Sequence, residues 1–304
     1  MLELPDSWTW DFWIADTGTE YHLFFLFASK ALHEESRRHR RASIGHAVST
    51  DLVDWTRLPD ALVRSDSPAF DDVATWTGSC VHGDDGLWYL FYTGLSDDPA
   101  IGVQRISVAT SADLMTWTKA GRPLVVADPG HYATAAGGTD EPWRDPWVFR
   151  HSDGLWHMLI TARSAHDRDD LTNGVLGHAT SPDLLDWTVR DPLTDPGHGF
   201  GQLEVPQAIE VDGSHLLMFS CLDTELGEAR RSPGGGGVWV APGDSATGPF
   251  DLSRAVLITD ATRYAGRAVL DRAGVWQFLA FHSVEGGQFV GKLANPTPLL
   301  PLIQ

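Results

Sequence analysis

The stretch Trp143-Arg144-Asp145-Pro146-Trp147-Val148-Phe149 runs on through Arg150 into His151-Ser152-Asp153-Gly154-Leu155-Trp156-His157-Met158-Leu159-Ile160. An Arg-Asp pair opens a β-branched and aromatic run, a polar turn ends in Asp-Gly, and a second apolar run follows. That order reads as a β-hairpin whose first strand begins with charged side chains. The second-strand half of this unit recurs five times, at Tyr21 to Phe27, Leu87 to Tyr92, Leu155 to Ile160, His215 to Phe219 and Val275 to Phe281.

A second series, Ser-x-Asp-Leu-x-x-Trp, is interleaved with the first at Ser49 to Trp55, Ser111 to Trp117 and Ser181 to Trp187. These copies lie too far apart for solenoid repeats and suit multi-stranded sheets with variable loops. The fourth copy departs from the pattern, with Gly237-Val238-Trp239-Val240-Ala241 and then Gly248-Pro249-Phe250, and the fifth keeps little of it. No segment shows a sustained helical period with caps. The fold is expected to be all-β. Five small antiparallel sheets, each needing neighbours on both faces, most simply close into a five-bladed β-propeller, with a β-sandwich as the structural alternative.

The composition narrows the function classes. In 304 residues, 22 Lys and Arg face 41 Asp and Glu, a formal charge of −19 that gives no attraction to nucleic acid or to an anionic membrane. The opening Met1 to Asp6 lacks a basic segment followed by an apolar core, and no apolar run approaches the roughly 20 residues of a membrane span, so a cytoplasmic protein is expected. Cys80 and Cys221 read as small strand residues, with no disulfide and no cysteine-ligated metal. The histidines show no ligand spacing, and there is no Gly-x-Ser-x-Gly elbow and no Asp-rich calcium loop, so no cofactor is expected. His46 and His178 occupy matching repeat positions and read as structural. The basic run His33 to Arg41 is a solvated loop tip, a subunit contact or a substrate rim. Nothing in the sequence fixes an oligomeric state.

In a propeller the first strand of each blade lines the axis, so polar residues on those strands meet in one pocket. The first repeat opens with Trp8-Thr9-Trp10-Asp11-Phe12-Trp13, the third with Arg144-Asp145-Pro146, and the fourth with Gln202-Leu203-Glu204-Val205-Pro206-Gln207. Gathering three like charges is costly, which marks Asp11, Asp145 and Glu204 as catalytic candidates. Strict alternation puts Asp145 and Trp143 on one face and turns Arg144 away, unless the strand start is irregular. The second repeat brings Trp76-Thr77-Gly78-Ser79 and the fifth Tyr264 with Arg267. Trp10, Trp13, Trp76, Ser79, Arg144, Gln207 and Tyr264 are the expected sugar contacts, while Trp55, Trp117 and Trp187 recur with the repeat and read as blade packing.

Trp10-Asp11-Phe12-Trp13, Trp76-Thr77-Gly78-Ser79, Arg144-Asp145-Pro146 and Glu204-Val205-Pro206 together resemble the fructan-active glycoside hydrolases of families 32 and 68. The resemblance runs from residue 8 to about residue 295. It implies a retaining β-fructofuranosidase or fructosyltransferase acting on sucrose or short fructosides, with Asp11 as nucleophile, Asp145 gripping sugar hydroxyls and Glu204 as general acid and base. Asp11 is expected to be ionised and Glu204, between Leu203 and Val205, protonated. The residues around Asp11 are closer to the Trp-Asp-x-Trp form of family 68, and Glu204 lacks the Cys or Arg that follows it in the two families. With the fifth hairpin ending near Leu293, a single catalytic domain spanning 1–304 without a C-terminal β-sandwich is expected. Two other readings stay open. One is an inverting family 43-like arabinosidase or xylosidase, whose carboxyl groups would stand about 6.5–9.5 Å apart rather than about 5–5.5 Å. The other is a non-catalytic sugar-binding propeller.

Overall fold

Each of the five sequence repeats folds into its own antiparallel sheet. The computed structural model describes residues 1–97, 104–135, 141–166, 169–232 and 234–303. Blade 1 holds β1 (Ser7–Asp16), β2 (Tyr21–Ser29), β3 (Ser43–Ser49) and β4 (Thr56–Leu62). Blade 2 holds β5 (Ala74–His82), β6 (Trp88–Leu95), β7 (Gln104–Ser111) and β8 (Thr118–Lys119). Blade 3 holds β9 (Trp143–Arg150), β10 (Trp156–Arg163), β11 (Gly174–Ser181) and β12 (Thr188–Arg190). Blade 4 holds β13 (Glu204–Val211), β14 (Ser214–Cys221), β15 (Gly237–Gly243) and β16 (Val256–Leu257). Blade 5 holds β17 (Arg263–Leu270), β18 (Trp276–Glu285), β19 (Gln288–Leu293) and β20 (Thr297–Pro298), and a one-turn helix α1 (Leu300–Ile303) follows. The five-bladed propeller expected from the repeats is the fold, and the five predicted second strands are β2, β6, β10, β14 and β18.

Sequential strands pair in each of blades 1 to 4, so β1, β5, β9 and β13 are the inner edges. In blade 5, β19 and β20 both pair with β18 at different heights, and Leu2 bridges Leu293 from the other end of the chain. The Leu293 N–H donates to the Leu2 carbonyl at 3.0 Å, which ties the first and last blades together. A ring closed this way leaves only short sheet edges exposed.

The Ser-x-Asp-Leu-x-x-Trp series builds a turn and a seam. The Ser49 hydroxyl accepts the Leu52 N–H, and Asp51 Oδ1 accepts those of Val53 and Asp54, holding Leu52 at φ +66°. Leu114 and Leu184 repeat the conformation at φ +62° and +72° and are buried like Leu52. Each turn then delivers its tryptophan to the preceding blade. Trp117 of blade 2 meets Phe24 of blade 1 edge-on at 5.6 Å, Trp187 of blade 3 meets Phe91 of blade 2 likewise, and Trp55 packs on the Leu279 and Leu293 cluster of blade 5. Truncating such an aromatic to alanine costs roughly 3 kcal/mol or more, so these turns hold the blades in register. His46 and His178 do have structural roles: each Nε2 lies 2.9 Å from the Nδ1 of a partner, His22 or His157, inside its own blade. Burial foremost lowers His46 to about 3 and His178 to about 4, which keeps both rings neutral. Both cysteines are free.

Candidate active site

All five inner strands break register at the same level. The jumps fall between Trp10 and Phe12, Trp76 and Gly78, opposite Leu159 and Thr161, between Glu204 and Gln207, and between Tyr264 and Arg267. A bulge lets two consecutive side chains point the same way and bends the strand. At Gly78 the approach is so close that a Cβ would meet the Phe91 carbonyl oxygen at 1.8 Å, so glycine alone fits there. In blades 3, 4 and 5 the bulge residue has positive φ: Asp145 at 58°, Val205 at 52° and Ala265 at 50°. Such residues hold a strained backbone that persists only when its surroundings fix it. Here each bulge N–H is caught by an earlier blade. Asp145 N–H donates to Thr93 Oγ1 at 3.1 Å, Val205 N–H to Asp145 Oδ2 at 3.1 Å, and Ala265 N–H to Ser220 Oγ at 3.0 Å.

The bulges surround a cavity of about 330 Å³, and its lining includes Asp11, Asp145 and Glu204 together with Trp10, Trp76, Thr77, Gln104, Arg144, Gln202 and Tyr264. The three acids that open separate repeats therefore share one pocket. Arg144 faces into it beside Asp145, not away from it as strict alternation requires, because the bulge in β9 resets the face. Its Nη2 donates to Glu204 Oε1 at 2.7 Å and to Gln202 Oε1, its Nη1 lies 3.3 Å from Gln104 Oε1, and its Nε stands 3.6 Å from Asp145 Oδ2. One guanidinium thus joins two of the acids. Trp143, the residue placed beside Asp145 by alternation, is instead fully buried, with its indole N–H donated to the Val125 carbonyl.

Each acid has a different environment. Thr77 donates its hydroxyl to Asp11 Oδ2 at 2.5 Å. Burial first, then the charges of Asp145 and Glu204, outweigh that bond and raise Asp11 from the ordinary 3.8 to about 7. Asp11 is thus partly protonated at neutral pH, where full ionisation was expected. Asp145 is 3% exposed, with the Thr161 hydroxyl 2.9 Å from its Oδ2, and burial raises it although Arg144 opposes the shift. Glu204 accepts from both Arg144 and the Tyr264 hydroxyl. Its sequence neighbours Leu203 and Val205 are buried at 0% and 2% exposure. A cation and a phenol hold its carboxyl group. Tyr264 is held far above the ordinary phenol value by burial and by Glu204, so its proton stays on.

Trp10, Trp76, Arg144 and Tyr264 line the cavity as expected, whereas Trp13, Ser79 and Gln207 do not. Trp13 is fully buried and stacks on Phe24 with centroids 6.1 Å apart, because the bulge at Asp11 turns it into the blade packing. Ser79 Oγ accepts the Val148 N–H of β9 at 3.0 Å, and Gln207 exchanges hydrogen bonds with the Ala268 backbone of β17 at 2.9 Å. Both lie past the bulges, where polar side chains tie neighbouring inner strands together. The sequence reading missed Gln104 and gave no role to Gln202, although it stands within a quoted motif, and Thr77, one of the second repeat's hydroxyls suited to sugar recognition, is bonded to Asp11. That reading favoured a solvated loop tip for the basic run over a subunit contact or a substrate rim. The run follows a 3-10 turn at Lys30–Leu32 and folds into another at Glu35–Arg41, and Arg38 and His39 line the cavity. The Arg38 guanidinium lies 3.8 Å from the Phe289 ring centroid and 5.5 Å from that of Trp10, and the His39 carbonyl accepts the Trp76 indole N–H at 2.7 Å. The run is a cavity rim.

The fold is shared with solved structures at low sequence identity. Inulosucrase from Halalkalicoccus jeotgali bound to kestose superposes with a TM-score of 0.76 at 23% identity, over 94% of this chain and 79% of that one. Bacillus subtilis levansucrase gives 0.69 at 17% identity, over 95% and 82%. Among curated proteins, the sucrose-6-phosphate hydrolase of Bacillus subtilis (strain 168) is 31% identical over 209 residues, 66% of this chain and 38% of that protein. The raffinose invertase of Escherichia coli is 32% identical over 206 residues, again 66% and 38%. The chain thus spans about two fifths of the length of these relatives. Residues 14–283 match the model of the glycosyl hydrolases family 32 N-terminal domain, and the chain belongs to that family.

Proposed function

We propose that this pocket cleaves or transfers terminal β-fructofuranosyl units of sucrose or short fructosides with retention, in one catalytic propeller formed by residues 1–304. The observation that carries the reading is the meeting of Asp11, Asp145 and Glu204 at the inner-strand bulges, with Arg144 fixed between two of them. Family membership and relatives named as invertase and sucrose-6-phosphate hydrolase support the same chemistry. The cavity, about 330 Å³, suits a small sugar.

In the mechanism, Asp11 as carboxylate attacks the anomeric carbon while Glu204 gives a proton to the departing glycosidic oxygen. The bond from Asp11 to the sugar forms as the bond to the leaving oxygen breaks. Glu204, now ionised, takes a proton from water or from an acceptor hydroxyl, whose oxygen then displaces Asp11. Asp145, pinned by Thr161 and by the Val205 N–H, is placed to hold sugar hydroxyls rather than to react. The productive form has its proton on Glu204 and none on Asp11. Arg144 and Tyr264 both donate to Glu204 and fix the orientation of its carboxyl group in the pocket. The rings of Trp10 and Trp76 offer stacking surfaces beside the reacting carbon.

The test is to incubate the protein with sucrose, inulin- and levan-type oligosaccharides, arabinosides and xylosides, with Asp11→Asn as control, and to identify the sugar released. Fructose released by the wild type alone is the expected result. Pentose release would move the protein to an inverting reading, and sugar binding without any product would make it a non-catalytic binding propeller.

A further inference from the structure

Arg267, on β17, is 1% exposed, and the chemistry above leaves it without a task. It lies just past the fifth bulge. Its Nε donates to the Phe12 carbonyl at 3.2 Å, and its Nη1 donates to the carbonyls of Val205 and Pro206, both at 2.9 Å. Phe12 follows Asp11 in sequence, and Val205 follows Glu204. One side chain from blade 5 therefore grips the backbone directly behind the two reacting carboxylates of blades 1 and 4. The β13–β14 register skips Val205 and Pro206, so the sheet ladder does not hold these two residues in place.

The charge of Arg267 is as unusual as its hydrogen bonds. Among the described residues no carboxylate stands within ion-pair distance of it, Nη2 finds no hydrogen-bond partner, and the guanidinium carbon lies 5.0 Å from the Trp147 ring centroid. Burying an unpaired cation costs several kcal/mol unless nearby charge compensates. That compensation comes from Asp145 and Asp11, whose fields oppose the lowering that burial imposes; at about 10, Arg267 stays charged at neutral pH. Arg144, positive, and His39, which burial lowers to about 4 and so keeps neutral, line the cavity with Asp11. Of the other groups that interact with Asp11, Arg38 of the rim and Arg267 are positive, Asp145 and Glu204 are negative, and Thr77 and Tyr264 are neutral hydroxyls.

We propose that Arg267 is a positioning residue: its guanidinium clamps the backbone behind Asp11 and Glu204 and so sets their separation, and it is the buried counter-charge beneath the acid cluster. This rests on the reading that Asp11 and Glu204 are the reacting pair.

The experiment follows Asp11 directly. Protein labelled with 13C at the aspartate carboxyl carbon is titrated by NMR as wild type, Arg267→Met and Arg267→Lys, with Asp11→Asn assigning the signal. Folded Arg267→Met should move the Asp11 midpoint up by about one pH unit or more, and the acid limb of kcat/KM should move with it. Arg267→Lys keeps the charge but cannot reach three carbonyls. Its midpoint should stay within about half a unit, while kcat falls roughly 10- to 100-fold with KM little changed. A folded Arg267→Met with an unmoved midpoint would overturn the counter-charge. Wild-type kcat in Arg267→Lys would overturn the clamp, and Arg267→Gln takes the place of the methionine variant in testing the counter-charge if that one does not fold. Because the titration needs no turnover, a wild type that releases no fructose would sink the functional reading and leave the Asp11 result standing.

Discussion

Replacing Asp11 by Asn should make the protein more stable at alkaline pH while ending catalysis. Asn keeps the shape and still accepts the Thr77 hydroxyl, so the change isolates the charge. Asp11 rises from the ordinary 3.8 to about 7 in the folded protein, chiefly through burial. At about 1.4 kcal/mol per pH unit, ionising it in the pocket costs about 4 kcal/mol. The sign follows from the raised value. The folded state binds the proton more tightly than the unfolded one, so the contribution is fully present below pH 3.8 and is lost as pH rises through about 7. Asp11→Asn should therefore exceed the wild type by about 4 kcal/mol at pH 8, by about 1.5 kcal/mol at pH 5, and by almost nothing below pH 3.8. Urea unfolding followed by tryptophan fluorescence at pH 8 and pH 5 measures both differences. An Asn variant no more stable than wild type at pH 8, or an advantage equal at both pH values, would refute the assignment of a buried, repelled carboxylate.

The same environment fixes a pH profile. Because free enzyme needs Asp11 ionised, kcat/KM should fall as pH drops through about 7, and an acid limb below about pH 5 would contradict the field acting on Asp11. Arg144→Lys keeps a charge but loses the fork that reaches Gln202, Glu204 and Gln104 together; kcat should fall at least about 100-fold while the melting temperature moves little, and near-wild-type turnover would remove Arg144 from the site. Tyr264→Phe deletes a hydrogen bond to a charged oxygen, worth about 1.5–3 kcal/mol, so kcat/KM on a fructoside should drop roughly 10- to 100-fold. An unchanged value would show that Glu204 does not depend on that hydroxyl.

Much of this molecule is legible in its sequence because its signals are local. Hairpins announce themselves by Asp-Gly turns between β-rich runs, and Ser-x-Asp-Leu-x-x-Trp encodes a turn whose hydrogen bonds lie within six residues. The acids at the starts of inner strands were legible for the same reason: charge next to a buried run stands out. What sequence alternation could not supply is the bulge. A single extra residue in β1, β5 or β9 resets every face beyond it, which turned Arg144 inward and Trp13 into the packing. Ser79 and Gln207 look like ligands by residue type, yet they are spent on backbone groups of adjacent blades, a contact between strands about sixty residues apart. Arg38 and His39 reach the cavity from a loop between β2 and β3, and Arg267 is buried only once three blades meet around it. These are properties of ring closure and leave no mark in a window of neighbouring residues.

The central claim is that Asp11 becomes covalently bonded to a fructosyl unit, and mass spectrometry tests it most directly. In Glu204→Gln, β-fructofuranosyl fluoride supplies a leaving group that needs no proton, while the base for the second step is gone, so an intermediate should accumulate. Intact-mass and peptide analysis after rapid acid quench should then show one fructosyl unit on the peptide carrying Asp11, and none when Asp11→Asn is added. An unmodified protein that still releases fluoride, or an adduct on any residue other than Asp11, would contradict the account.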